Sequence, residues 1–221
     1  MTIADERSVL IVYPHPDDET SISGTISMYR KKGIPVSYAC LTLGQLGRSL
    51  GNPVITNREE LPLLRKQELL DACKVIGIED VRMLGLFDKT IEFEDPEKII
   101  KIVTDLIDEL NPSVIYTFLP GFAVHPDHHA TGRAVIEAVR RLPADQRPKI
   151  YTRAFAHNTE EVMGKPDIVN DIRHLRDLKL AVLRAHKTQM NDLADVYEEK
   201  LAAGDDTVLA YETFYIIKFD E

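Results

Sequence analysis

Two short clusters carry the side chains best suited to chemistry: His15-Pro16-Asp17-Asp18-Glu19 and His125-Pro126-Asp127-His128-His129. Proline biases each preceding histidine to an extended backbone, and the residue three places after each histidine can begin a helix. His15 and Asp18 can therefore converge on one point. A catalytic zinc takes three N or O ligands and keeps a position open for water. Two ligands from one rigid loop, with a third from His125 or His128 on a distant loop, would build such a site. Spacing leaves open which of Asp17 and Asp18 is ligand and which is base. It leaves the metal open too, because two histidines and one carboxylate suit Fe(II) as well as Zn(II). Taken singly, the first cluster could be a helix start whose acids cap the N-terminus and complement the dipole, and the second an exposed cap with histidines in the first turn. Taken together, at two strand ends of one sheet, they point to a site.

The elements that must position these clusters alternate in type. Val9–Tyr13 is a continuous apolar run of the kind buried on both faces of a parallel sheet. A helix capped by Asp17, Asp18 or Thr20 is expected to run to Lys32, with Gly33 as its stop. Residues 35–42 read as a second strand, followed by a loop marked by Gly44, Gly47 and Gly51. Capping-box spacings from Thr56 to Glu59 and Asn57 to Glu60 open a helix that ends at Gly77. Residues 81–84 are a third strand, Asp95-Pro96 opens a helix over 97–110, and Val114–Phe118 is a fourth strand. A helix then runs from Asp127 to near Arg141, and strands are expected at 150–155 and 214–219 around a helix over 171–185. This pattern predicts a single domain over residues 1–221. Its fold class is α/β: a doubly wound, Rossmann-like, mostly parallel sheet with helices on both faces and ligands at the carboxyl ends of the strands. The loops starting at Pro14, Leu43, Gly85 and Leu119 are where chemistry should lie.

Composition narrows the classes. The 221 residues carry a formal net charge of −9, so the overall field repels nucleic acid and anionic membranes. Residues 1–8 resemble neither a signal peptide nor a span, and no later apolar run is long enough to cross a bilayer. Cys40 and Cys73 stand alone in apolar segments, which fits a reducing cytoplasm. No G-x-G-x-x-G turn follows the first strand, and no G-x-S-x-G elbow is present.

With those residues in view, the chain resembles the zinc-dependent N-acetylglucosaminyl deacetylase family (LmbE/PIG-L-like). Thr42-Leu43-Gly44, Arg65-x-x-Glu68, Gly85-Leu86-x-Asp88 and the stretch from Lys179 through His186 to Gln189 extend the match. Length and Tyr13-Pro14-His15 are most similar to the second type of bacillithiol-pathway deacetylase. The resemblance implies His15, Asp18 and His128 as zinc ligands and Asp17 as general base. It also implies His125, paired with Asp127 and so kept protonated, as the group facing the scissile carbonyl. The implied substrate is a small amino sugar, N-acetylglucosaminyl-malate. Cleavage of thiol conjugates on the same site, or metal and sugar binding without catalysis, are the competing readings. Arg65, Arg48, Asp88 and His186 are candidate substrate contacts, with Arg65 as the bidentate partner of a malate carboxylate. His129, His157 and His174 read as surface residues. Pro14 stands where much of the family has a small residue, so an altered pocket wall is expected there. A homo-oligomer is compatible with all of this.

Overall fold

The computed structural model describes residues 6–219; the reading of residues 1–5 as outside any leader or span falls beyond them. Val9–Tyr13 (β1) is buried along its whole length, as an apolar strand must be when helices cover both faces. It pairs in parallel with Val36–Thr42 (β2) on one side and Val114–Phe118 (β4) on the other. Asp80–Leu86 (β3) joins β2 in parallel, and Lys149–Arg153 (β5) joins β4 in parallel. Tyr211–Ile217 (β7) then runs antiparallel to β5, and Ile168–Asp171 (β6) antiparallel to β7. The resulting seven-stranded order is β3-β2-β1-β4-β5-β7-β6.

Helices Ser23–Lys31 (α1), Leu61–Ile76 (α2) and Arg176–Ala185 (α6) pack together on one face, while Pro96–Leu110 (α3) and Pro126–Arg140 (α4) pair on the other. Alternation along β1 feeds both layers: Val9, Ile11 and Tyr13 enter the first core, Leu10 and Val12 the second. Thr159–Met163 (α5) and Asn191–Ala202 (α7) complete the helices. Among the described residues no helix is long and apolar enough to cross a membrane.

Several local rules act as the sequence predicts. The Asp95 carboxylate accepts from Glu97 N at 3.0 Å at the start of α3. Gly77 ends α2 at φ 90° as expected, but the helix opens later than the Thr56 and Asn57 capping spacings suggest. Asn57 Oδ1 accepts from Glu59 N and Glu60 N, both at 2.9 Å, in a turn ahead of α2, which starts at Leu61 without a side-chain cap. Elsewhere tertiary contacts override local propensity. The expected helix from Asp17 or Asp18 begins instead as a single 3₁₀ turn, Asp18–Ser21, with α1 starting at Ser23 and no side chain capping either start. The helix expected over 171–185 starts only at Arg176, because residues 168–171 alternate buried and exposed as an edge strand against β7.

Parallel pairing puts the carboxyl ends of β1 to β4 at one edge, so all four expected loops open there together. Gly132 lets α4 lie directly on β4. A Cβ at that position would sit 2.3 Å from the Phe118 carbonyl oxygen. Gly132→Ala should therefore lower stability by about 1–3 kcal/mol, as overpacked cores do, measured as a shift in denaturant midpoint at unchanged m.

Candidate active site

Thr42 ties the first two loops together, donating to the Pro14 carbonyl from its N–H at 2.9 Å and from its hydroxyl at 2.8 Å. His15 follows. Its Nε2 lies 3.1 Å from Asp127 Oδ2 and 3.2 Å from Asp88 Oδ1. Two carboxylates on one ring nitrogen fix that nitrogen as the N–H donor, which turns the Nδ1 lone pair the other way. His128 is fixed by the same logic: its Nδ1 meets the Ala123 carbonyl at 3.1 Å, and its ring stacks on Phe118 at 3.9 Å and 9°. The remaining nitrogens, His15 Nδ1 and His128 Nε2, face each other at 3.3 Å.

Asp18 completes the cluster. Its Oδ1 is 3.1 Å from His128 Nε2 and its Oδ2 is 3.5 Å from His15 Nδ1. Oδ2 also accepts from His15 N at 2.8 Å, so this carboxylate serves the loop instead of capping the turn it begins. Two lone pairs and a carboxylate aimed at one point make a donor set suited to a divalent cation. The local field favours positive charge at this point, carried either by a proton on His15 or by a cation that displaces it. Burial disfavours charge on His15, but its hydrogen bonds to Asp127, Asp18 and Asp88 outweigh that and raise its pKa well above the ordinary value. Burial likewise opposes ionised Asp18, yet His128 and His15 pull its pKa far down. His15 also shares reach with His125 and His128, and separately with Asp88 and Asp127, each set having ligand atoms within 4.8 Å. Asp127, however, already accepts from two backbone N–H groups, and Asp88 Oδ2 from a third.

Asp17 stands next to this point with a different environment. It adopts φ 98°, and its Oδ2 accepts from Arg65 Nη2 at 2.7 Å. Burial pushes its carboxyl up to about 6; Arg65 opposes this and the Asp18 carboxylate reinforces it. Arg65 is itself 3% exposed and also donates to the Pro16 and Gly44 carbonyls. Its guanidinium is thus spent on holding Asp17, not free as the bidentate carboxylate partner the sequence reading expected. A side chain at Gly44, φ 60°, would collide with it at 1.7 Å.

The pairing expected for His125 also changes. The Asp127 carboxylate accepts from Lys89 N at 2.7 Å, Ile91 N at 3.2 Å and His15, whereas only the Asp127 backbone N–H reaches His125, donating to Nδ1 at 3.2 Å. His125 is the N-cap of α4, and that bond leaves Nε2 as its N–H. Burial, with His15 and His128 nearby, lowers its pKa below 6.5 in place of the expected rise. Asp88 lines the cavity but is committed to His15 and to Leu46 N at 2.8 Å. His186 is fully buried behind the cavity against Glu19, outside the lining. Arg48 lines the cavity and is exposed, as the glycine loop suggested. Lys89, missed from sequence because it is a lone loop lysine, lines it too, at φ 62°. His157 and His174 are exposed; half-buried His129 accepts from Gly121 N at 3.0 Å. Pro14 is buried and does not form cavity wall.

His15, Asp17, Asp18, His125 and His128, with Arg48 and Lys89, line one cavity of about 420 Å³. A more apolar groove of about 490 Å³ between α3 and α4 gathers none of them. Residues 10–139 match the family model for GlcNAc-PI de-N-acetylase. The chain belongs to the GlcNAc-PI de-N-acetylase family. Within the curated proteins it is 53% identical over 197 residues, 89% of each chain, to the probable N-acetyl-alpha-D-glucosaminyl L-malate deacetylase 2 of Bacillus subtilis strain 168. Its fold matches the N,N'-diacetylchitobiose deacetylase of Pyrococcus horikoshii, solved with an inhibitor, at a TM-score of 0.74 and 26% identity, covering 96% of this chain and 84% of that one. A 4-carboxy-2-hydroxymuconate hydratase of Pseudomonas putida KT2440 shares the fold at a TM-score of 0.74 and 17% identity over 97% and 98% of the two chains. Fold alone therefore leaves the reaction of a family member to be argued from its site.

Asp127 answers three donors at once, so its removal strands two backbone N–H groups and frees the His15 ring. Asp127→Ala should cost about 1–3 kcal/mol or more in denaturant unfolding, the penalty of orphaned buried donors. His125→Ala, which removes only a ring acceptor at a half-exposed cap, should cost no more than about 1 kcal/mol in the same assay.

Proposed function

We propose that this family member is a metal-dependent amide hydrolase that removes the acetyl group from N-acetylglucosaminyl-malate in cytoplasmic bacillithiol biosynthesis, with Zn(II) as its ion. One observation carries the reading: His15 Nδ1, His128 Nε2 and Asp18 converge on a point, and a second carboxylate, Asp17, stands beside them with an independent anchor. A site that only bound metal would have no use for Asp17. The relatives' names supply the sugar, and the free buried thiols of Cys40 and Cys73 suit a reducing compartment.

In this reading His15, Asp18 and His128 hold the ion. A divalent ion there supplies Lewis acidity, polarising the acetyl carbonyl and making water easier to deprotonate. Asp17, aligned by Arg65, accepts a proton from the attacking water and returns it to the amine nitrogen as the C–N bond breaks, releasing acetate and free amine. His125 acts as a neutral donor. Its Nδ1 is occupied by the Asp127 N–H, so its Nε2–H is the proton available to hydrogen-bond the developing oxyanion.

Asp17→Asn should keep one metal per chain and lose about 10² to 10⁴-fold in kcat, whereas Asp18→Ala should lose the metal, both read by elemental analysis beside amine release. A wild-type rate in Asp17→Asn would remove the base assignment. With pH, the base must be ionised, so kcat/KM should rise through the Asp17 pKa, at or below about 6 once a cation is near. Because His125 is neutral above 6.5, no falling limb is expected between pH 7 and 8. A fall centred there would restore the imidazolium reading.

Anion selectivity falls to Arg48 and Lys89, which line the cavity and have no carboxylate partner among the described residues. Two partly solvated contacts to the malate carboxylates, together worth roughly 1–3 kcal/mol, correspond to a preference of about 5- to 150-fold over N-acetylglucosamine. The double variant Arg48→Ala, Lys89→Ala should erase most of that preference in kcat/KM; an undiminished ratio would place the aglycone elsewhere.

A further inference from the structure

Glu19 is the acid of the first cluster that the mechanism does not use, and it is 1% exposed. One of its oxygens accepts from the Asp17 backbone N–H at 3.1 Å and from the Tyr38 hydroxyl at 3.4 Å. The other hydrogen-bonds His186 Nε2, delivered from the end of α6, 167 positions away in sequence. His186 has no exposed surface and its second ring nitrogen has no partner, so Glu19 is its sole side-chain anchor among the described residues. Asp17 meanwhile holds φ 98°, a backbone region that side-chain-bearing residues rarely adopt unless their surroundings impose it. Three groups hold it here: Arg65 on the carboxylate, Thr20 on the carbonyl, to which its hydroxyl donates at 2.6 Å and its N–H at 3.1 Å, and Glu19 on the N–H. The same Tyr38 hydroxyl also reaches the His15 carbonyl at 3.3 Å, so the brace spans both sides of Asp17.

We propose that Glu19, itself fixed by His186, is a positioning residue that holds Asp17 in its left-handed conformation and so aims its carboxylate at the attacking water. The inference rests on the role of Asp17 as base. A buried carboxylate with a backbone donor on one oxygen and an imidazole on the other is a costly arrangement for simple packing. It makes sense where a neighbouring group must be kept within a fraction of an ångström of its working place, because small misplacements of reacting groups cost large factors in rate.

The test is a double-mutant cycle on the metal-loaded enzyme, with kcat, KM and metal content measured for wild type, Glu19→Ala, Asp17→Asn and the double variant. Glu19→Ala should lower kcat about 10- to 100-fold, with KM within about twofold and one metal per chain retained. Glu19→Gln, whose amide oxygen can still accept from Asp17 and whose NH₂ can meet His186, should recover most of the rate. On the Asp17→Asn background, Glu19→Ala should cost less than about twofold, since the group it positions is already disabled. Equal losses on both backgrounds, or a loss confined to KM, overturn the proposal. If Glu19→Ala does not fold, Glu19→Asp carries the same cycle, keeping the charge but withdrawing the carboxylate by one methylene. A wild-type kcat in Asp17→Asn would remove the base role and this inference with it; additive losses would remove this inference alone.

Discussion

Two imidazole nitrogens, His15 Nδ1 and His128 Nε2, are made to face each other at 3.3 Å, and the rest of the site follows from that constraint. A positive charge reconciles the pair: a proton on His15, whose pKa is raised, donated to His128 Nε2, or a cation in that proton's place. The orientation is enforced from behind, by Asp127 and Asp88 on one ring and by the Ala123 carbonyl and Phe118 on the other. Those partners in turn are fixed by backbone N–H groups of the loop after β3 and by Leu46 after β2. Four loops at one sheet edge thus hold one another in place through the two rings. The parallel order of β1 to β4 is what brings their ends to that edge.

Around this point five acids divide the work by environment. Asp18 lies against both rings and is kept ionised, while Asp17 is held to one side by Arg65 and raised by burial. Asp127 and Asp88 face away from the convergence and set a tautomer. Glu19 reaches no ring of the cluster and holds the backbone of Asp17. Adjacent residues of one type acquire different chemistry because a left-handed residue at Asp17 turns its side chain away from that of Asp18.

Much of this was legible from sequence. The four chemical loops, the strands of the parallel half and the convergence of His15 and Asp18 with a histidine of the second cluster follow from apolar runs, Pro and Gly punctuation and the two His-Pro-Asp clusters; the choice of His128 over His125 comes from the family resemblance. What was not legible depends on contacts distant in sequence. Local rules made Asp17 and Asp18 helix caps, but Arg65 claims the first and the His15 and His128 rings claim the second. His125 was expected to pair with the Asp127 carboxylate; a capping bond from the Asp127 N–H takes its place, and His15 takes the carboxylate. Residues 168–171 carry no strand signal strong enough to outweigh the helix after them until β7 pairs with them. Lys89 matters through a backbone conformation and a cavity wall, neither of which has a sequence signature.

The central claim is that His15 binds metal through Nδ1, together with His128 Nε2 and Asp18, while its Nε2 is reserved for Asp127 and Asp88. Anomalous diffraction at the metal edge of the zinc-loaded protein tests it directly. The account predicts one peak per chain with His15 Nδ1, His128 Nε2 and an Asp18 oxygen each at about 2.0–2.2 Å. A peak on the opposite side of the ring, ligated by His15 Nε2 with Asp88 and Asp127, would contradict it.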